Sequence, residues 1–186
     1  IVAVALVGLW LFKSVYTVQP DQRGVELLFG KPKTEVSMPG LHFHWWPVET
    51  VEIATIAERQ MTIGSATRTS AQAGLMLTGN QNIVDVTFAV LYAVVDPADY
   101  LFNVANPDEV LRQLAESAMR EVVGRRPAQA VFRDDRQGIA QDVKTIIQQT
   151  LDDYGAGIQI NAVSIEDAAP PRPVADAFDE VQRAEQ

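Results

Sequence analysis

The run IVDVTFAVLYAVV, residues 83–95, restricts the fold more than any other stretch. Val84, Val86, Phe88, Val90, Tyr92 and Val94 place an unbroken apolar row on every second position, and Asp85 and Thr87 begin the opposite face. That period belongs to a strand. A strand so long and so apolar fits the middle of a sheet, where both faces are covered. The chain must therefore supply further strands beside this one and helices or a second sheet against it.

The punctuation around that strand predicts a mixed α+β chain. SVYTVQPDQRGVELLFGKP gives two short strands, with Val15 and Val18, then Val25, Leu27 and Phe29, as a hairpin about a turn at 20–24. Pro39-Gly40 turns into a stretch where Leu41, Phe43 and Trp45 alternate with His42 and His44, and Val51, Ile53 and Thr55 continue the alternation. Residues 64–74 are small and polar, a loop or a weak edge. Asp96-Pro97 ends the long strand and starts a short helix over ADYLFNV. Asn106-Pro107-Asp108-Glu109 joins a capping residue, a first-turn proline and acids at the positive end of a helix dipole. The helix it opens has a buried stripe of Val110, Leu111, Leu114, Ala115, Ala118, Met119 and Val122 and stops at Gly124. A second amphipathic helix runs from about Asp135 to Tyr154 on Ile139, Val143, Ile146, Ile147, Leu151 and Tyr154, with Gly155 after it. IQINAVSI is a further strand, whose apolar phase shifts between Ile160 and Val163 through a bulge or a change of neighbour.

Both ends of the chain carry signals of their own. IVAVALVGLWLF is twelve uncharged residues, about 18 Å of helix, where a bilayer core needs about 30 Å. It is expected to be the second half of a transmembrane helix, with a signal-peptide core or a buried helix as alternatives. Trp10-Leu11-Phe12-Lys13 is how a span meets the interface, so Leu6, Leu9, Trp10, Leu11 and Phe12 are the candidate anchor. At the other end a proline cluster at 170–173 precedes VADAFDEVQRAEQ, a helix with a seam of Val174, Ala177, Val181 and Ala184 and with Phe178 beside it. Val174, Ala177, Phe178 and Val181 are candidate oligomer contacts. The chain opens on Ile1 and stops within this helix, so it is expected to be a piece of a longer protein.

Composition removes several functions. The formal net charge is −9 and no basic stripe exists, which argues against nucleic acid. Residues 1–50 are charge-balanced, so the acidic excess lies in 51–186. With no cysteine there is no disulfide, Cys-ligated zinc or thiol nucleophile. His42 and His44 share a strand face and resemble half of a metal site, but no carboxylate stands close in sequence, and no cofactor is expected. Signatures of hydrolases, zinc proteases and phosphate loops are missing, so the expected function is assembly and partner binding rather than catalysis, with a membrane-bound serine protease as the alternative. Trp45-Trp46-Pro47 is either ordinary sheet packing or an aromatic patch at the lipid headgroups. Asp134-Asp135 and Asp152-Asp153 are expected to be solvated helix ends, although the latter pair opposes the helix dipole. Arg125-Arg126 suits the negative end of a helix, or an acidic neighbouring subunit.

The order of parts resembles the stomatin/prohibitin/flotillin/HflK-C (SPFH, band 7) family: an anchor, a strand-rich subdomain, an α/β subdomain and a long helix. The likeness is carried by Arg23-Gly24-Val25, Phe29-Gly30-Lys31, Pro39-Gly40-Leu41-His42-Phe43 and, above all, the block from Met76 to Val104, MLTGNQNIVDVTFAVLYAVVDPADYLFNV. These are most similar to its HflK-type bacterial members. On that pattern the parts fall at 1–14 (anchor), 15–74 (strand-rich), 75–169 (α/β) and 170–186 (coiled-coil-like helix). The resemblance implies a single-pass protein of the bacterial inner membrane with its SPFH domain in the periplasm. It also implies alternation with an HflC-like paralogue in a large closed ring or cage, and regulation of the membrane protease FtsH through substrate access. Another stomatin-like organiser of membrane domains is the alternative.

Overall fold

The computed structural model describes residues 8, 10–64 and 74–170. The candidate anchor residues Leu6 and Leu9, most of the polar stretch 64–74, and the candidate oligomer contacts Val174, Ala177, Phe178 and Val181 lie outside the described residues. The strands are β1 (Val15–Val18), β2 (Gln22–Leu28), β3 (Lys31–Ser37), β4 (Gly40–Phe43), β5 (Glu49–Thr55), β6 (Arg59–Ile63), β7 (Leu75–Leu77), β8 (Ile83–Val94) and β9 (Ile158–Ala169). The helices are α1 (Pro97–Phe102), α2 (Pro107–Gly124) and α3 (Arg136–Asp153), with a π-helical turn at Ala130–Asp134. This is the mixed α+β architecture that the sequence predicts. The chain forms two compact units, the first from residues up to Glu58 with Ala93–Pro107 and Asp152–Gln159, the second from Arg59–Tyr92, Asp108–Leu151 and Ile160 onward.

In the first unit β2 is the centre of a three-stranded antiparallel sheet in the order β3-β2-β5, and β1 pairs with β4 in a separate two-stranded ribbon. The predicted hairpin of β1 with β2 is therefore wrong. A closer hairpin wins: Leu28 and Lys31 face each other across the two-residue turn Phe29-Gly30, whose φ values of 50° and 78° suit a type I′ connection. That turn gives β2 and β3 seven residues each, and β5 takes the other edge of β2. Pro32, which cannot donate to a ladder, sits on the outer strand β3, and the register shifts between Val25 and Leu27. The strand read from Val51, Ile53 and Thr55 is present as β5, where Ile53 is 42% exposed while Glu49 and Ala54 are buried. Short α1 packs on this sheet. Its N-cap is Asp96, whose carboxylate accepts from the amides of Ala98 (2.9 Å) and Asp99 (3.1 Å).

The second unit is built on β8. Val84, Val86, Phe88 and Val90 are fully buried, and Thr87 and Ala89 on the reverse face are buried too, as a central strand requires. β8 pairs antiparallel with β6 from Phe88 to Tyr92 and with β7 from Ile83 to Asp85, and it also pairs with β9. The chain leaves this ladder at Ile63 and rejoins at Leu75, with the Gly74 carbonyl accepting from the Val86 amide (2.8 Å). Gly64 takes φ 136° there, and a side chain on it would meet the Val86 carbonyl at 2.6 Å. Leu111, Ala115, Ala118, Met119 and Val122 are buried on α2 as predicted, joined by Val123, whereas Val110 and Leu114 are only half-buried. Ile139, Val143, Ile147 and Leu151 are buried on α3, while Tyr154 lies past its end and is exposed. The phase shift in β9 is present: Ile158 and Ile160 are buried, after which Val163 and Ile165 are the half-covered positions.

Candidate membrane-contact site

The β1–β4 ribbon has its polarity reversed. Tyr16 and Val18 point inward from β1, opposite His42 and Gly40, while Val15 and Thr17 face outward with their partners Phe43 and Leu41. The inward histidine next along, His44, is buried, and the apolar residues alternating with it are exposed, Leu41 at 73% and Trp45 at 63%. Both histidines pack on Tyr16, with ring centroids 5.5 Å away in each case, His42 stacked and His44 edge-on. The expectation that they share a face holds. Among the described residues no group of three His, Cys, Asp or Glu gathers to hold a metal.

Beneath the ribbon a polar network fixes this orientation. The Lys33 ammonium donates to Glu49 (2.6 Å) and Glu26 (3.0 Å), and the Tyr16 hydroxyl donates to Glu26 (2.8 Å) and lies 2.7 Å from the Ser37 hydroxyl. Glu49 also accepts from the Trp45 amide (2.8 Å), which ties the turn carrying both tryptophans to the sheet. The lysine bond, followed by that amide, holds the Glu49 carboxyl below its ordinary range. Glu49, then Glu26, hold the Lys33 ammonium above its own. Burial raises the Tyr16 hydroxyl, partly opposed by its bond with Ser37.

With the histidine side turned inward, the apolar side forms an exposed collar. Residues 10–13 are helical, and the Trp10 indole donates to the Trp46 carbonyl (2.6 Å). Trp10 meets Trp45 (5.8 Å) and Phe43 (6.0 Å) edge-on, and Phe43 meets Trp45 at 6.1 Å. Buried Ser14 donates from its amide and its hydroxyl to the Trp10 carbonyl, and its own carbonyl accepts from the His44 amide (2.8 Å), so the end of the apolar run is stapled to β4. Leu11 and Phe12 project outward, Phe12 at 86% exposed. The structure thus brings Trp10, of the candidate anchor residues, against Trp45 and Trp46, with Leu11 and Phe12 following it in the chain. Sequence reasoning missed that Leu41 and Phe43 face outward on the same exposed surface, because their alternation was the signal of an ordinary half-buried strand. Among the described residues no helix is long and apolar enough to cross a membrane.

The candidate arginines Arg125 and Arg126 are occupied within the chain. Arg125 pairs with Glu121, and Arg126 pairs with Asp135 (3.1 Å) and Asp142 (2.8 Å), joining the end of α2 to the start of α3. The turn between β7 and β8 is locked nearby, the Gly79 amide donating to the Arg126 carbonyl (2.8 Å) and the Ala128 amide to Asn80 (3.1 Å).

Residues 16–186 match the SPFH domain / Band 7 family. Over 97% of its length the chain is 38% identical to Protein HflK of Buchnera aphidicola subsp. Schizaphis graminum and 36% identical to Protein HflK of Vibrio cholerae, covering 42% and 43% of those proteins. It is 34% identical to Modulator of FtsH protease HflK of Escherichia coli, covering 97% of the chain and 41% of that protein. The chain spans about two fifths of the length of the curated relatives it matches. With the family matched across nearly all of the chain, and with strand-rich sheets and helices in the predicted order, the chain belongs to the SPFH domain / Band 7 family.

Proposed function

We propose that this chain is the membrane-proximal part of an HflK-like scaffold subunit, which rests on the bilayer through the aromatic collar and modulates the protease FtsH without performing chemistry itself. The observation that carries the membrane part is the reversed ribbon. A two-stranded ribbon that buries histidine and exposes Leu41, Phe43 and Trp45 gains nothing in water, whereas tryptophan and neighbouring apolar residues are favoured at the headgroup boundary. Continuity of the collar with the end of the apolar run at Trp10–Phe12 supports the reading of that run as part of a single inner-membrane anchor. The domain then lies in the periplasm, pairs with an HflC-like paralogue, and repeats into a closed ring or cage that controls entry of membrane substrates to FtsH. The coiled-coil-like helix at 170–186, through Val174, Ala177, Phe178 and Val181, supplies one of the subunit contacts in this reading.

The test is gentle solubilisation of the full-length protein from its native membrane, with identification of what co-purifies and imaging of the particles. FtsH and an HflC-like paralogue in large closed particles are the expected result. A monomer, or a different protease in place of FtsH, overturns the reading.

A further inference from the structure

The sheet of the second unit has one long open side. β9 pairs with β8, and among the described residues no other strand pairs with it. From Asn161 to Asp167 none of its residues is buried. An open strand of this length is a template for another backbone, because the amides and carbonyls along that side have no ladder partner.

The flank of α3 beside β9 has the chemistry to hold such a backbone. Near the start of the strand, the Gln148 side-chain carbonyl accepts from the Ile160 amide (2.7 Å) and the Lys144 ammonium donates to the Asn161 carbonyl (2.8 Å). Gln137 and Gln141 lie one and two turns nearer the start of the helix and are exposed. With Lys144 they form one wall of a groove of about 530 Å³, and Asn161, Ala162 and Val163 form the other. The four polar residues make one stripe on α3 beside its buried row of Ile139, Val143, Ile147 and Leu151. A glutamine side chain offers the same donors and acceptor as a peptide unit, and Gln148 already uses its own on a strand amide.

Charge gives the groove a direction. Lys144 is the one cation lining it, whereas Glu166 and Asp167 stand exposed further along β9. Asn161 and Asp167 are about 20 Å apart at the rise of a strand. We infer that the open side of β9 is a docking site for an extended segment of another protein, which adds as a strand and lays its backbone along α3. The segment carries an acidic residue at the Lys144 end and a basic residue at the Glu166–Asp167 end. This docking rests neither on the membrane contact nor on FtsH.

The test uses the full-length protein in lipid nanodiscs and a phage-displayed library of random twelve-residue peptides. The enriched peptides are expected to be poor in proline and to carry an acidic and a basic residue five to seven positions apart. A selected peptide, made with a fluorophore, should bind saturably. A proline at its centre, or Ala162→Trp filling the groove, should each weaken it by at least about tenfold. Lys144→Glu should weaken it similarly and should favour the same peptide with its acid changed to lysine. Neither position is buried, so the thermal midpoint should hold in both variants, which separates a lost docking site from a lost fold. A selection that enriches nothing, a proline peptide that binds as well, or an affinity that both substitutions leave unchanged overturns the proposal. So does a photo-crosslinker in place of Gln141 that, in the native membrane, reaches only another copy of this chain or its paralogue.

Discussion

The β1–β4 ribbon and the β6–β9 sheet use the same two-residue period with opposite polarity. In β8 the apolar row Val84, Val86, Phe88 and Val90 is fully buried, and in β4 the apolar positions Leu41 and Phe43 are outside while the histidine positions turn in. Alternation alone says that a strand has two unlike faces, and what lies against each face decides which one is the core. For β8 that is the rest of its own unit. For β4 the inner face meets Tyr16 and the polar network of Glu26, Lys33 and Glu49, and the apolar face stays exposed.

The largest effect that separates the two regions is on stability. Phe88→Ala should cost about 3–5 kcal/mol by cavity formation, and Phe43→Ala, at a site already exposed, should cost less than about 1 kcal/mol. Chemical denaturation of both variants checks this, and equal losses would break the comparison. Next in size is lipid contact. All three tryptophans of the 186 residues, Trp10, Trp45 and Trp46, lie in the collar, so the tryptophan fluorescence of this 186-residue chain reports that region. Lipids brominated near the headgroup should quench most of it, and Leu41→Ser with Phe43→Ser should reduce the quenching without lowering the denaturation midpoint. A smaller effect is expected from pH. Glu49 has its folded value depressed, so its contribution is present above the ordinary glutamate value of about 4.3 and is lost as pH falls through the lower folded value. Lys33 has its value raised, so its contribution is complete at neutral pH and is lost only as pH rises through that higher value. The midpoint of the first unit should thus decline on acidification, and Glu49→Gln should flatten that decline. The smallest change is expected from Trp10→Phe, which loses one exposed hydrogen bond and keeps the edge-on contacts, within about 0.5 kcal/mol.

Much of the second unit was legible in the sequence, because its signals are local or long. The apolar row of β8 fills a 12-residue strand, and both long helices carry buried residues at helical spacing between recognisable ends. The first unit was less legible. The pairing of β1 with β4 links residues 22 to 28 apart, as Val18 with Gly40 and Val15 with Phe43 show, and no short-range signal announces it. Pro32 hid β3, since a proline argues against a strand unless that strand is outermost. The collar was half visible: tryptophans next to an apolar run suggested an interface, but the outward turn of Leu41 and Phe43 depends on the buried network behind Tyr16. The π-helical turn at Ala130–Asp134 has no sequence signature of its own.

One interruption in the ladder bears on how such a chain can change over generations. β6 ends its pairing opposite Phe88 and β7 resumes opposite Asp85, so the residues from Gly64 to Gly74 span only two positions of the partner strand. Both flanks are pinned independently, by the Ile63–Phe88 pair on one side and by the Gly74 carbonyl on the Val86 amide on the other. Lengthening a tether whose ends are already held carries only a small entropic penalty, about 0.6 kcal/mol per doubling. The segment is thus a natural port for variation, where an inserted epitope or fluorescent label would leave the central strand undisturbed.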